Sequence, residues 1–359
     1  MIKRYWWIVL FSAAAFAACS SESRNSSAYK IALVPDLSGQ RGIFAINSDQ
    51  TGGRLLTTEA TAQLRPASWS PDGKKIAFFA SRDQDAPMRQ KYRMPFHYAL
   101  YWMDATGGNQ KRLLDFPVSS FEFSRDGRQL LFVSAYEDPA HNDADIVKGL
   151  KNPMSAVYLL SLQTGAQKRV TGFGLNCYGS FAPDGKSVAL TFGDSPQISD
   201  LYTASLDGKH TRRLTDSPGI KIKPAWSPDS RRIAYICFVS QSGAMTSSVY
   251  IVNADGSNLR QIPNANPYEV SWSVDGKMLL LRFTRGFALV TAEGNTVVDM
   301  ENKVIQPQDA LFTPDGNHVM FRSNHEGPSY LYAVDLKGAD MRRISGHLSA
   351  SMFCFSPLR

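Results

Sequence analysis

Cysteine is scarce in this chain: Cys19, Cys177, Cys237 and Cys354 are the only four in 359 residues. No C-x-x-C pair occurs, so a zinc ribbon or a dithiol redox motif has no support. The three beyond Cys19 cannot all pair within one chain and read as buried free thiols. No G-x-S-x-G sequence is present, so the nucleophile elbow of a serine hydrolase is missing. No basic run interleaves with stacking aromatics, so nucleic acid is not expected as a partner despite a net charge of +7. The apolar run Trp6 to Phe16 is too short to span a bilayer comfortably.

What the chain does have is a repeat. An aromatic residue, a small polar residue and a turn recur as Trp69-Ser70-Pro71-Asp72-Gly73, Phe123-Ser124-Arg125-Asp126-Gly127, Phe181-Ala182-Pro183-Asp184-Gly185 and Trp226-Ser227-Pro228-Asp229-Ser230. Trp272-Ser273-Val274-Asp275-Gly276, Phe312-Thr313-Pro314-Asp315-Gly316 and a shortened Phe355-Ser356-Pro357 complete the series. A period of this length indicates a propeller or a solenoid. Each turn is followed by a short apolar run, such as Ile76-Ala77-Phe78-Phe79 or Ile233-Ala234-Tyr235-Ile236, and then by a second, such as Val249-Tyr250-Ile251-Val252. Runs this short, β-branched or aromatic and bounded by turn residues, read as strands. A second glycine turn and a short basic strand, such as Arg212-Arg213-Leu214, close the unit.

Each unit is therefore a four-stranded antiparallel meander. Stacking such units around an axis buries both faces of every sheet. The stretch Met352 to Pro357 is a first strand with nothing after it, and Lys30 to Leu56 supplies the other three. The expected fold is all-β: a seven-bladed β-propeller of four-stranded antiparallel blades, its ring closed by pairing the N- and C-terminal strands in one blade.

The N-terminal segment reads as a targeting signal. Lys3 and Arg4 precede the apolar core, and Phe16-Ala17-Ala18-Cys19 ends it. This ending resembles the lipobox of bacterial lipoproteins, which implies acylation of Cys19. By the same resemblance Ser20, rather than Asp, after the cysteine implies the outer membrane. The expected organisation is a signal peptide over 1–18, an acylated Cys and flexible tether over 19–28, and a propeller over 29–359.

The repeats themselves, in Trp69-Ser70-Pro71-Asp72-Gly73-Lys74-Lys75-Ile76-Ala77-Phe78 and in Asp207-Gly208 followed by Arg212-Arg213-Leu214-Thr215, resemble the TolB-type propeller repeat. The resemblance covers everything after the tether and specifies the blade rather than an activity. TolB carries an α/β domain ahead of its propeller, and none is expected here because only the tether precedes the first strand. Oligogalacturonate lyases share the repeat and hold a metal with a histidine cluster on their loops. His325 and His347 are the two histidines that reach a comparable rim, too few for that site, so no metal or cofactor is expected.

Two connections between second and third strands are long: Arg82 to His97, which is basic, and Tyr136 to Met154, which begins acidic. Loops of this length are commonly functional. Arg82, Arg89, Tyr92, Arg93, Phe96, His97, Glu137, Asp138, His141 and Asp143 are the candidate partner-binding residues. Lys221, Lys223, Glu269, Asp309, His325 and His347 are expected at the mouth of the channel on the same face. No catalytic residue is expected. The preferred reading is an envelope-anchored, monomeric lipoprotein on the periplasmic side of the outer membrane, acting as a non-catalytic protein-interaction scaffold. Its partners would be envelope proteins, with the membrane reached through the N-terminal lipid. The alternative is a carbohydrate-active enzyme or binding protein related to oligogalacturonate lyases, with its site on the same face; a sensor of a small periplasmic ligand is a third.

Overall fold

The structure, a computed structural model, describes residues 29–35, 41–59, 64–82, 99–135, 154–172, 174–207, 209–241, 243–263, 266–301, 307–345 and 350–358. Among these residues every element is a β-strand. The first are β1 (Lys30–Pro35), β2 (Arg41–Asn47), β3 (Arg54–Glu59), β4 (Leu64–Trp69), β5 (Lys75–Ala80), β6 (Ala99–Asp104) and β7 (Lys111–Arg112). Next come β8 (Ser120–Phe123), β9 (Gln129–Ser134), β10 (Ala156–Ser161), β11 (Gln167–Arg169), β12 (Leu175–Phe181), β13 (Ser187–Ser195), β14 (Ile198–Ser205) and β15 (Thr211–Arg213). They continue with β16 (Ile220–Trp226), β17 (Arg232–Gln241), β18 (Ala244–Asn253), β19 (Arg260–Ile262), β20 (Glu269–Trp272), β21 (Met278–Phe283), β22 (Gly286–Thr291) and β23 (Thr296–Asp299). The last are β24 (Gln308–Phe312), β25 (His318–Ser323), β26 (Tyr330–Asp335), β27 (Met341–Arg343) and β28 (Ala350–Phe355).

Five sheets are four-stranded blades: β28-β1-β2-β3, β4-β5-β6-β7, β8-β9-β10-β11, β20-β21-β22-β23 and β24-β25-β26-β27. The first joins the two ends of the chain, with Ala32 opposite Cys354 and Leu33 opposite Phe353. The sixth sheet has eight strands, β12 to β19, held together by a parallel bridge from Ser199 in β14 to Ile220 in β16. The expectation of seven separate blades is corrected by this pairing: five discrete four-stranded blades are present, and the remaining strands share one continuous sheet. The cause is strand length. β13 and β14 run nine and eight residues and β17 and β18 ten each, against six in β5 or β25. The start of β14 thereby reaches the start of β16. There Ser199 donates its N–H to the Gly219 carbonyl at 3.2 Å and its hydroxyl to the Lys221 carbonyl at 2.7 Å.

Apolar clusters glue neighbouring sheets. Leu280, Phe287 and Leu289 of one blade pack on Val319, Phe321 and Tyr332 of the next. Each such side chain contributes roughly 1.5–3 kcal/mol on burial. The repeated aromatic does the same job nearer the axis. Trp226 donates its indole N–H to the Ser180 carbonyl at 3.3 Å, and Trp272 donates to Ala225 at 3.0 Å, so each reaches back to the preceding four strands. At the rim, Arg54, Lys168 and Arg260 each donate to a turn carbonyl further along the chain, those of Thr106, Asp207 and Ala292. Basic residues on these short outer strands therefore join units as well as facing solvent.

Candidate functional site

The first strands of successive units lie side by side, β8 beside β12, β12 beside β16 and β16 beside β20, and residues from their middles line a common space. The decisive position lies three residues before the repeated aromatic: Ser120, Tyr178, Lys223, Glu269 and Asp309. At Lys223 and Asp309 the backbone is left-handed, with φ of 50° and 49°, in residues that carry a Cβ. Both stand at register shifts in their strands, between Ile222 and Ala225 and between Gln308 and Leu311. A bulge re-aims a side chain, and a non-glycine residue in this region costs of order 1–2 kcal/mol.

The re-aimed charges form a ladder. Lys223 Nζ lies 3.5 Å from Glu269, and Glu269 accepts from Arg282 Nη1 at 2.9 Å. Arg282 reaches Asp309 at 3.2 Å, and Asp309 accepts from Arg322 Nε at 2.7 Å. Arg282 is the anchor, with only 14% of its side chain exposed. Burial works against its charge, but Glu269, Tyr268 and Asp309 outweigh it and raise its pKa. The Tyr268 hydroxyl accepts from Arg282 at 3.0 Å, and the Lys223 ammonium lies 5.5 Å from the Tyr268 ring. Signs alternate along the ladder, so each carboxylate sits between two cations.

Beside the ladder is a cavity of about 320 Å³ whose wall includes Ser120, Phe121, Glu122, Leu131, Val133, Tyr178, Ser180, Lys223, Glu269 and Val270. Glu122 occupies the place before the aromatic where other units have Ser68, Ser180, Ala225 or Ser271. It accepts the Phe181 N–H at 3.2 Å. The residue keeps some surface, yet burial of its carboxyl pushes its pKa up to about 7, against the pull of the Phe181 N–H and the Ser180 hydroxyl. Burial also raises the Tyr178 phenol, with Glu269 and Cys177 adding to the effect.

Of the expected channel-mouth residues, Lys223, Glu269 and Asp309 come together in the ladder. Lys221 goes elsewhere. Its side chain is fully buried, 3.5 Å from Asp200 and 3.3 Å from the carbonyls of Pro218 and Gly219. Asp200 also accepts from Arg213 at 2.6 Å and from Thr215 at 3.0 Å, so the charges are paired inside one sheet. His325 joins a separate cluster, 3.1 Å from the Ser323 hydroxyl and 3.6 Å from Glu326, which in turn accepts from Tyr332 and Arg343. Arg82 lies over the Tyr101 ring at 4.4 Å and donates to Gln110. Cys19, Arg89, Tyr92, Arg93, Phe96, His97, Glu137, Asp138, His141, Asp143 and His347 lie outside the described residues. Among the described residues no three His, Cys, Asp or Glu side chains are grouped to hold a metal ion. Cys177, Cys237 and Cys354 are buried and form no disulfide.

Arg282, Arg322, Glu122 and Tyr178 were not singled out from the sequence. The arginines left a signal: each comes after the apolar stretch of a second strand and lies opposite Glu269 or Gln308 of the first. Glu122 left a weaker one, the single charged residue in a repeat position that elsewhere holds Ser68, Ser180, Ala225, Ser271, Leu311 or Cys354.

Comparison with known families bears on the same residues. The TolB beta propeller domain, PD40, matches residues 86–297, more than half of the chain. The chain belongs to the TolB beta propeller family. This TolB-type propeller is similar to the uncharacterized peptidase YuxL of Bacillus subtilis, 27% identical over 147 residues, 40% of this chain and 21% of that one. It is similar also to the Tol-Pal system protein TolB of Francisella tularensis subsp. mediasiatica, 32% identical over 124 residues, 33% of this chain and 25% of that one. The matched stretches thus span a quarter or less of the length of these two relatives. Among solved structures, an oligogalacturonate lyase from Vibrio parahaemolyticus superposes with a TM-score of 0.59 at 15% identity, covering 82% of this chain and 83% of that one. That is a likeness of fold alone.

Proposed function

We propose that this TolB-type propeller is a non-catalytic interaction module of the bacterial envelope. Acylated Cys19 holds it on the periplasmic side of the outer membrane, and a protein partner docks on the face bearing the second-to-third-strand connections. The observation that carries this reading is the crest formed by the β13–β14 and β17–β18 hairpins. Both hairpins lengthen on that face, and they are tied near their tips, where Ser199 beside the first turn bridges Ile220 of β16, the strand paired with β17. Ile198 and Met245, at their ends, are 50% and 55% exposed. Apolar side chains held out on rigid strands suit a partner surface. The ladder supports the same reading, because its carboxylates are engaged by arginines rather than held ready to move a proton.

The test is capture of crosslinked partners by the acylated full chain in its native envelope. A variant carrying Ile198→Ser and Met245→Ser is compared, and another in which 83–96 and 137–153 are replaced by short Gly-Ser turns. Loss of the same envelope protein from both variants, with folding intact, is the expected result. A partner set that neither variant alters would refute docking through this face. Cys19→Ser should move the chain from the membrane fraction to the soluble one.

A further inference from the structure

We propose that the channel cavity binds a small organic cation: an amine whose ammonium group pairs with the Glu122 carboxylate and whose apolar body lies against Leu131 and Val133. The cavity is separate from the crest, and the inference does not depend on the docking reading. At about 320 Å³ it stands at the small end of the range for small-molecule pockets. Its wall is mostly apolar, with a few convergent polar groups, as such pockets are built.

The charge on that wall decides the ligand's sign. Lys223 already faces Glu269, and Arg282 holds Glu269 and Asp309. Glu122 has no cation beside it among the described residues; its contacts are the Phe181 N–H and Ser180. These contacts orient the carboxyl without neutralising it. An ammonium group would supply the missing charge, and the ring of Tyr178 on the same wall favours a cation further. The strained backbone at Lys223 points the same way, since it holds that ammonium on Glu269 at the cavity's edge.

The ligand recruits Glu122 in its ionised form, so binding releases a proton wherever the carboxyl starts out protonated. The titratable groups facing it across the cavity are Tyr178 of β12, Lys223 of β16 and Glu269 of β20.

The probes are phenethylamine and its neutral counterpart 2-phenylethanol, titrated calorimetrically into the full chain at pH 6 and pH 8. The amine should bind at least about tenfold more tightly than the alcohol, and more tightly at pH 8 than at pH 6. Glu122→Gln should lose about tenfold for the amine and little for the alcohol. Lys223→Met removes a nearby like charge and should tighten the amine. Ser120→Trp, which fills the cavity from an exposed position and keeps the carboxyl, should abolish binding; it serves if Glu122→Gln fails to fold. Equal affinity for amine and alcohol, no binding of either, or an unchanged amine affinity in Glu122→Gln would overturn the inference. Any of these leaves docking at Ile198 and Met245 standing, because neither residue lines the cavity.

Discussion

Ser70, Ser124, Ser227, Ser273 and Thr313 repeat one small device. In the first copy the hydroxyl donates to Asp72 at 2.6 Å and accepts the Lys75 N–H at 2.9 Å, tying the turn to the strand after it. In the unit beginning at Phe181 the hydroxyl is replaced by Ala182. There the Asp184 carboxylate keeps only the Lys186 N–H at 2.9 Å, while its backbone N–H donates to Ser230. Ala182→Ser should therefore stabilise the protein by about 0.5–1.5 kcal/mol, and Ser227→Ala should cost about 1–2 kcal/mol, in urea unfolding. No gain from the first would mean that the turn's shape, not the hydroxyl, sets its stability. The same bonds fix a pH dependence. The Ser hydroxyls hold Asp72, Asp126, Asp229 and Asp275 below the usual carboxylate range. Their contribution is present above the unfolded pKa and fades as pH falls through the folded values. Glu122 runs the other way. With its pKa raised to about 7, the folded state binds the extra proton, so stability falls as pH rises from about 4.5 to 7 and is level above that. Glu122→Gln should raise stability by about 1–3 kcal/mol at pH 8 and leave it nearly unchanged at pH 4; equal effects at both pH values would disprove burial as the cause.

The strands were legible in the sequence because each is bracketed by its own turn chemistry. Asp-Gly fixes where a first strand ends, and a β-branched or aromatic run marks the second strand. Strand length was not legible in the same way. The polar residues of Val239-Ser240-Gln241 and Thr246-Ser247-Ser248 look like loop, yet they pair across β17 and β18, with Val239 opposite Thr246 and Ser240 opposite Met245. That extension creates the crest and, with the lengthened β13–β14 hairpin, fuses eight strands through Ser199. Gly193 makes the neighbouring hairpin possible: a Cβ there would lie 2.0 Å from the Ile198 carbonyl oxygen. Gly193→Ala should thus distort the end of β13–β14 and cost more than about 2 kcal/mol by thermal unfolding. A neutral effect would show that the hairpin yields easily and is a poor platform for a partner.

The ring as a whole brings together what the sequence keeps apart. Lys221 and Lys223 stand two residues from each other in one strand. One is sealed inside a sheet with Asp200 and the other is turned by a bulge onto Glu269. Local pattern does not separate those outcomes, since the partners come from other strands. The cavity is equally non-local, with walls from β8, β9, β12, β16 and β20. Fold alone assigns no activity to such a ring. The proposed docking rests on a difference between its faces, a crest of lengthened hairpins with exposed Ile198 and Met245 on one and the tight Asp-containing turns on the other. Site-specific photocrosslinking in the native envelope reads that difference. A photoreactive amino acid is placed at Ile198 or Met245, and at Asp126 or Asp275 as controls on the opposite face. Docking through the crest predicts one shared adduct, to the same envelope protein, from positions 198 and 245 and none from 126 and 275. Adducts from the turn face alone, or the absence of any from the crest, would contradict it.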